Sequence, residues 1–118
     1  MAKRTVEGFP WHYRIVRSSD YKSIYNTGRK LNSANFVLFG RENGLDHHRL
    51  GVTVSRKVGG AVVRNRMKRL FREIFRKTSN EIPHHFDFVV NAKRGCAAIS
   101  YSKLRGEFLS AARNFRES

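Results

Sequence analysis

Acid is what this chain has least of relative to its base. Of 118 residues only 9 are Asp or Glu, against 24 Lys or Arg, which leaves a formal net charge of +15. So large an excess opposes compaction by self-repulsion, and a polyanion relieves it; anionic membranes, heparin-like polymers and nucleic acid all fit at this level. Cysteine is scarcer still. A single Cys96 excludes a disulfide framework and a multi-cysteine zinc site, and it suits a reducing cytoplasm. No apolar run approaches the ~20 residues of a spanning helix; Phe36-Val37-Leu38-Phe39 is typical of the longest. The opening Met1-Ala2-Lys3-Arg4-Thr5-Val6-Glu7-Gly8 is basic but lacks the apolar stretch of a signal peptide. These absences predict a cytoplasmic protein with no membrane partner. Prolines number 2, and no repeat, low-complexity tract or linker interrupts the chain, so its length reads as one domain. Hydrophobic residues at 40% and aromatics at 12% supply a core, which excludes a wholly disordered basic tail.

Residues 1–17 read as an irregular basic arm, with Phe9, Trp11, Tyr13 and Ile15 available to anchor it, and residues 18–118 as the folded domain. Ser18-Ser19-Asp20 offer an N-cap, Tyr21, Ile24 and Tyr25 follow at helical spacing, and Gly28 closes the turn, so a helix is predicted over 19–27. Phe36-Val37-Leu38-Phe39 and the alternating Leu50-Gly51-Val52-Thr53-Val54-Ser55 read as strands. The turn residues Glu42-Asn43-Gly44-Leu45-Asp46 between them suggest an antiparallel hairpin. Gly59-Gly60 precedes a long helix over 61–78, with Pro83 beyond its end. Phe86, Phe88 and Val90 alternate with Asp87, Val89 and Asn91 as a third strand. Ser100 or Ser102 then caps a helix whose Leu104, Phe108, Leu109, Ala112 and Phe115 share a face. The order is α-β-β-α-β-α, an α/β (α+β) sandwich with one small sheet and helices packed on it.

Residues 56–77 carry the most information. They hold nine basic residues and one acid, Glu73, and so +8 of the +15. At helical spacing Val63, Met67, Leu70, Phe71 and Ile74 fall on one arc of roughly 100°, and Arg64, Asn65, Lys68, Arg69, Arg72 and Arg76 on an adjoining arc of roughly 140°. Arg66 projects from the flank beyond Arg69. Like charges at i, i+4 cost an isolated helix a few tenths of a kcal/mol per pair, a repulsion best tolerated where phosphates lie opposite. Arginine outnumbers lysine here, as suits bidentate phosphate recognition and base stacking. An ordinary solvated face mixes charge signs; this one barely does.

Ser55-Arg56-Lys57-Val58-Gly59, followed by Ala61-Val62-Val63-Arg64-Asn65-Arg66-Met67-Lys68-Arg69-Leu70-Phe71-Arg72-Glu73, closely resembles the signature of the bacterial ribonuclease P protein component. Tyr13-Arg14-Ile15, the Tyr21-to-Tyr25 helix, Gly28-Arg29, Phe36 to Phe39 and Arg49 to Ser55 also sit where that family has similar residues. The resemblance implies the small subunit of a ribonucleoprotein that removes the 5′ leader from precursor tRNA. Catalysis belongs in that family to the RNA subunit and the Mg2+ it binds, so the protein contributes no catalytic residue and no metal site, and one protein per RNA is expected. By similarity Arg64, Asn65, Arg66, Lys68, Arg69 and Arg72 would contact the catalytic RNA, and Arg56 and Lys57 would extend the charge. A cleft between the sheet and the first helix would hold the single-stranded leader on Tyr21, Tyr25 and Phe39. The family also implies a left-handed β-α-β crossover, against the general rule. Two departures stand out: Gly60 replaces a polar or basic residue, and Tyr replaces the more usual Phe at 21 and 25, which keeps the rings and adds hydroxyls.

The aromatic positions make sense without the family. Tyr21 and Tyr25 lie one turn apart, and base stacking on aromatics is sequence-tolerant; as core residues of an amphipathic helix they would look the same. The equipment of a protein nuclease is missing. The acids are scattered singly, without a close pair for two metals. His47-His48 and His84-His85 read as loop histidines, Cys96 as packing, and Gly59-Gly60 lacks the lysine-serine ending of a P-loop. The competing function is a non-catalytic RNA- or DNA-binding module of ribosomal or chromatin type, which needs the basic ridge but no leader cleft.

Overall fold

The computed structural model describes residues 13–82 and 84–117. Phe9, Trp11 and Pro83 therefore lie outside the described residues. Three α-helices and four strands follow in the order α1 (Ser18–Thr27), β1 (Arg29–Asn32), β2 (Phe36–Glu42), β3 (Arg49–Thr53), α2 (Ala61–Thr78), β4 (Phe86–Ala92) and α3 (Tyr101–Arg113). The sequence order of elements holds, with one strand added. That strand, β1, carries Arg-Lys-Leu-Asn and is exposed at three of its four positions, so no apolar alternation announces it. Its pairing with β2 through the short Ser33–Asn35 link makes it an edge.

The sheet runs β1-β2-β4-β3. The expected hairpin between Phe36–Phe39 and Leu50–Ser55 does not form. Instead β4 lies between them, antiparallel to β2 and parallel to β3, with α2 as the crossover. The reason is burial: Phe86 to Val90 are buried without a break, and a strand covered on both faces belongs in the middle of a sheet. Adjacency along the chain does not outweigh that.

The two sheet faces divide the core. On one, Phe36 and Leu38 of β2, Leu50 and Val52 of β3, and Phe86, Phe88 and Val90 of β4 meet Met67, Phe71, Ile74 and Phe75 of α2 and Leu104 and Phe108 of α3. On the other, Ile15, Ile24 and Val89 form a small second cluster, with Tyr21 and Phe39 packed against it. Thus α1 covers the face that α2 and α3 do not. Tyr13 and Ile15 bring the N-terminal segment to the β3 edge: Arg14 bridges Leu50 in parallel, and the Ile15 N–H donates to the Leu50 carbonyl at 3.0 Å.

Local signals account for most boundaries. Ser100 caps α3 as expected, its side chain accepting from the Lys103 N–H. At α1 the helix begins on Ser18 itself, with Arg17 at the cap and no side-chain cap bond. Asp20 is instead in the first turn, where a negative charge complements the helix dipole, and it reaches Arg49 at 3.8 Å. Gly28 ends α1 where the chain folds straight into β1; a Cβ there would stand 2.6 Å from the Ile24 carbonyl oxygen. His48 lies in the loop before β3, as expected, but points into the core. It is buried, its Nδ1 accepts the Phe86 N–H at 3.0 Å, and its ring stacks near Phe86 and Phe88.

Candidate nucleic-acid interface

The ridge comes first. α2 is held by Met67, Phe71, Ile74, Phe75 and Thr78, all buried, with Val63 and Leu70 packed beside them. This leaves Asn65, Arg66 and Arg69 exposed and Arg64, Lys68 and Arg72 half-buried. The one acid on the helix, Glu73, pairs with Arg76 at 2.8 Å and Lys77 at 3.3 Å. Arg76 is thus neutralised within the helix, although it shares the predicted arc. Among the described residues no carboxylate forms an ion pair with Arg64, Arg66, Lys68, Arg69 or Arg72. No acid stands in the first turn, and Gly60 brings no side-chain cap. Cations near a helix N-terminus oppose its dipole by about 0.3–1 kcal/mol each, while free N–H groups there favour an anion. The first turns of α2 are therefore arranged against their own stability and in favour of phosphate. Arg56 and Lys57 are both exposed on the turn that leads from β3 to α2, a turn closed by the Val58 N–H donating to the Ser55 carbonyl at 3.1 Å.

The cleft is built on the other sheet face. Strand register sets Lys30, Phe39, Val89 and Gly51 in one row across the sheet, and Asn32, Val37, Asn91 and Thr53 in the next. α1 lies over the first row through Ile24 and Val89, and the second row forms a floor beside it. Tyr25 meets Phe39 edge to face at 4.8 Å between ring centroids, and Tyr21 stands 6.4 Å from Tyr25. The three aromatics are therefore contiguous. Tyr25 is 36% exposed, and its hydroxyl donates to Asn91 Oδ1 at 3.0 Å. Tyr21 is half-buried, its hydroxyl seated over Gly51, where a Cβ would stand 2.6 Å from that oxygen. Burial pushes the Tyr21 phenol up, Tyr25 adds to this, and the Arg72 guanidinium opposes it. Lys30 Nζ lies 6.0 Å from the centre of the Phe39 ring.

Arg72 joins the two parts. Burial lowers the pKa of its guanidinium, as do neighbouring Arg14 and Arg69, and Tyr21 raises it. An arginine keeps its charge regardless, and the charge of Arg72 on α2 is felt at the Tyr21 phenol on α1.

Beyond the cleft an ionic network ties α1 to the sheet. Asp87 is 1% exposed and accepts from Arg49 Nε at 2.8 Å, Arg49 Nη2 at 2.7 Å and Asn43 Nδ2 at 2.9 Å. Burial raises the Asp87 pKa, but the bonds from Arg49 and Asn43 and the charges of Arg49 and Arg41 outweigh it and hold the carboxyl below its ordinary value. Arg41 also donates to Ser23 at 2.6 Å and Thr27 at 3.1 Å on α1. This network fixes the helix that carries the tyrosines.

The structure thus brings Tyr21, Tyr25 and Phe39 together, and places Arg56 and Lys57 on the turn before α2 and Arg64, Asn65, Arg66, Lys68, Arg69 and Arg72 on α2 itself, all exposed or half-buried. Sequence reasoning missed Asn91, Thr53, Lys30 and Arg14. Only Asn91 left a signal, as a polar residue ending an apolar run. Among the described residues no group of three or more His, Cys, Asp or Glu is placed to hold a metal ion, and no helix is long and apolar enough to cross a membrane. Burial, with Glu107 nearby, pushes the Cys96 thiol up to about 11, which leaves it inert.

The ribonuclease P family model matches residues 9–116. The chain belongs to the ribonuclease P protein family. The ribonuclease P protein component of Streptococcus pneumoniae (strain Hungary19A-6) is 34% identical over 98 residues, which span 83% of this chain and 80% of that protein. The RNase P protein from Thermotoga maritima superposes with a TM-score of 0.79 at 34% identity, covering 86% of this chain and 96% of that one. The Staphylococcus aureus RNase P protein gives 0.76 at 31%, covering 88% and 94%. The chain is accordingly the accessory protein subunit of ribonuclease P, the endoribonuclease of tRNA 5′ maturation. Family membership sets aside the ribosomal- or chromatin-type module, which the ridge alone left open.

Proposed function

We propose that the α2 edge docks on the catalytic RNA through Arg56, Lys57, Arg64, Asn65, Arg66, Lys68, Arg69 and Arg72, while Tyr21, Tyr25 and Phe39 grip the single-stranded 5′ leader of precursor tRNA. Bond cleavage stays with the RNA subunit and the Mg2+ it holds, with one protein per RNA in the cytoplasm. Residues 1–17 act as a basic arm on an RNA-binding domain formed by 18–118, and Lys3 and Arg4, outside the described residues, add to its charge.

The observation that carries this reading is the contiguous set of Tyr21, Tyr25 and Phe39 on one sheet face. With an α2 helix whose Arg64, Arg66, Lys68, Arg69 and Arg72 have no carboxylate partner among the described residues, it gives one molecule a means to hold structured RNA and a free strand at once. Each stacked base contributes ~1–3 kcal/mol whatever its identity, which suits substrates with many different leaders. A docked protein then raises substrate affinity and metal occupancy around the RNA active site.

Reconstitution tests it. The protein is mixed with a bacterial ribonuclease P RNA at low Mg2+, and precursor tRNA cleavage is followed. The expected result is cleavage where RNA alone is nearly silent, with Tyr21→Ala weakening binding of precursor more than of mature tRNA. Identical cleavage with and without protein, or equal losses for both tRNAs, defeats the proposal.

A further inference from the structure

The cations of α2 recur once per turn at Arg64, Lys68, Arg72 and Arg76, and such a repeat does not by itself say where along the helix an RNA should sit. A slip of one turn, about 5.4 Å, would put Lys68, Arg72 and Arg76 where Arg64, Lys68 and Arg72 had been. The two ends of the helix differ, however. From Arg64 to Arg72 no carboxylate forms an ion pair with the cations among the described residues. Beyond them Glu73 accepts from Arg76 Nε at 3.2 Å and Nη2 at 2.8 Å, and lies 3.3 Å from Lys77 Nζ. The bonds from Arg76, with Lys77 after it, hold the Glu73 carboxyl below its ordinary range, so it is ionised at neutral pH. Glu81, just past the helix, takes Arg113 of α3 at 3.3 Å. Arg76 and Lys77 also complement the C-terminal end of the helix dipole. Both cations of the last turn thus have a partner within the protein. An exposed ion pair of this kind stabilises little, so stability alone does not explain an acid set on a surface otherwise given to cations.

We infer that Glu73 bounds the RNA footprint on α2: it keeps Arg76 and Lys77 from phosphate and so fixes the helix at one register, with contact confined to the turns from Arg64 to Arg72. The inference rests on the reading of α2 as the helix that docks on the catalytic RNA, and adds to it what sets the position. In the slipped register a phosphate would come to Arg76 and meet the Glu73 carboxylate beside it. It would have to displace that carboxylate or share the guanidinium with it, and two anions at one cation repel. The register from Arg64 to Arg72 meets no such opposition. Specificity then comes from a repulsive element as much as from attraction, and it favours an RNA whose phosphates match the unpaired stretch. A structured RNA without that match gains nothing by sliding along the helix.

The test measures binding of the full chain to a bacterial ribonuclease P RNA and to an unrelated structured RNA of similar length, across a range of salt. Wild type is compared with Glu73→Gln and Glu73→Asp. Register is read from hydroxyl-radical cleavage of the ribonuclease P RNA by an iron chelate tethered at Asn80→Cys in each background. That position is exposed just past α2, while the native Cys96 is buried and stays unmodified. Glu73→Gln is expected to raise affinity for the unrelated RNA by about threefold to tenfold, and to steepen its salt slope by roughly 0.7–0.9 for each freed cation that meets a phosphate. Its affinity for the ribonuclease P RNA should rise less, so discrimination falls, and the cleavage pattern should spread to a second site. Glu73→Asp keeps the charge and should keep the wild-type slope and pattern. Matched thermal melting shows that the variants remain folded. If Glu73→Gln changes neither slope, discrimination nor pattern while Arg64→Ala with Arg69→Ala still weakens binding, the boundary role of Glu73 is overturned and the docking reading stands. If that double variant also binds the RNA as wild type does, the docking reading falls and this inference falls with it.

Discussion

The two faces of the sheet are made of different material. Toward α2 and α3 lies a dry core in which Phe88 sits within 5.2 Å of the Phe86 ring, 5.6 Å of Phe115 and 6.0 Å of Phe108. Toward α1, among the described residues, Ile15, Ile24 and Val89 form a small buried cluster, and the helix is tied down by Arg41, Arg49, Asp20 and Asp87. Apolar burial is strong and undirected, so it suits the side that has only to stay closed. Hydrogen-bonded ion pairs hold a helix at a set height without filling the space under it. That is how one sheet keeps a firm back and a half-exposed front on which Tyr21, Tyr25 and Phe39 meet.

The comparison breaks first at its centre. Phe88→Ala is expected to cost about 3–5 kcal/mol in denaturant unfolding, because it empties a site enclosed by aromatics. Phe39→Ala, half-exposed on the open face, should cost clearly less and weaken leader binding instead. Equal losses would mean that the faces contribute alike. Next, Asp87→Ala should cost about 2–4 kcal/mol, below a fully buried pair because Arg49 stays in touch with water, and should loosen α1 as read by hydrogen exchange at Ile24.

Acidification separates the two sides by pH. Burial depresses the pKa of His48, on the dry side, below its ordinary 6.5. The unfolded chain then takes up a proton that the folded one refuses, so stability present above pH 6.5 is lost as the pH falls toward the depressed value. The Asp87 carboxyl is held below 3.8, so its contribution survives until the pH falls beneath that range. Melting temperature against pH should decline in two stages, and His48→Gln should remove the first while leaving the second.

The smallest effect on the fold belongs to the edge. Arg64→Ala with Arg69→Ala should change stability by less than about 0.5 kcal/mol, yet impair binding to the RNA subunit. The slope of log affinity against log salt should flatten by roughly 0.7–0.9 for each phosphate that the protein no longer neutralises. Unchanged RNA binding would detach the ridge from function.

Elements and ridge were legible along the chain, and their arrangement was not. The 61–78 helix and its sorted faces follow from a 3.6-residue period that any local window contains. β1 escaped because Arg29-Lys30-Leu31-Asn32 is an exposed edge held by pairing with β2 rather than by its own pattern. The hairpin expectation failed because strand neighbours are chosen by burial of Phe86 to Val90, a demand that arises far from the 42–46 turn. Asn91 could be named as a polar interruption, yet nothing in its surroundings along the chain ties it to Tyr25, 66 positions away.

By itself the amino-acid order determined which segments coil, which apolar segments extend and where the cations gather, since those depend on neighbours a few bonds apart. Only the folded molecule decided that β4 divides β2 from β3, that His48 goes inside, and that Asp87 clamps the helix bearing the tyrosines. Those outcomes depend on contacts between distant segments, where exclusion of water and the pairing of buried charge are settled for the whole sheet at once.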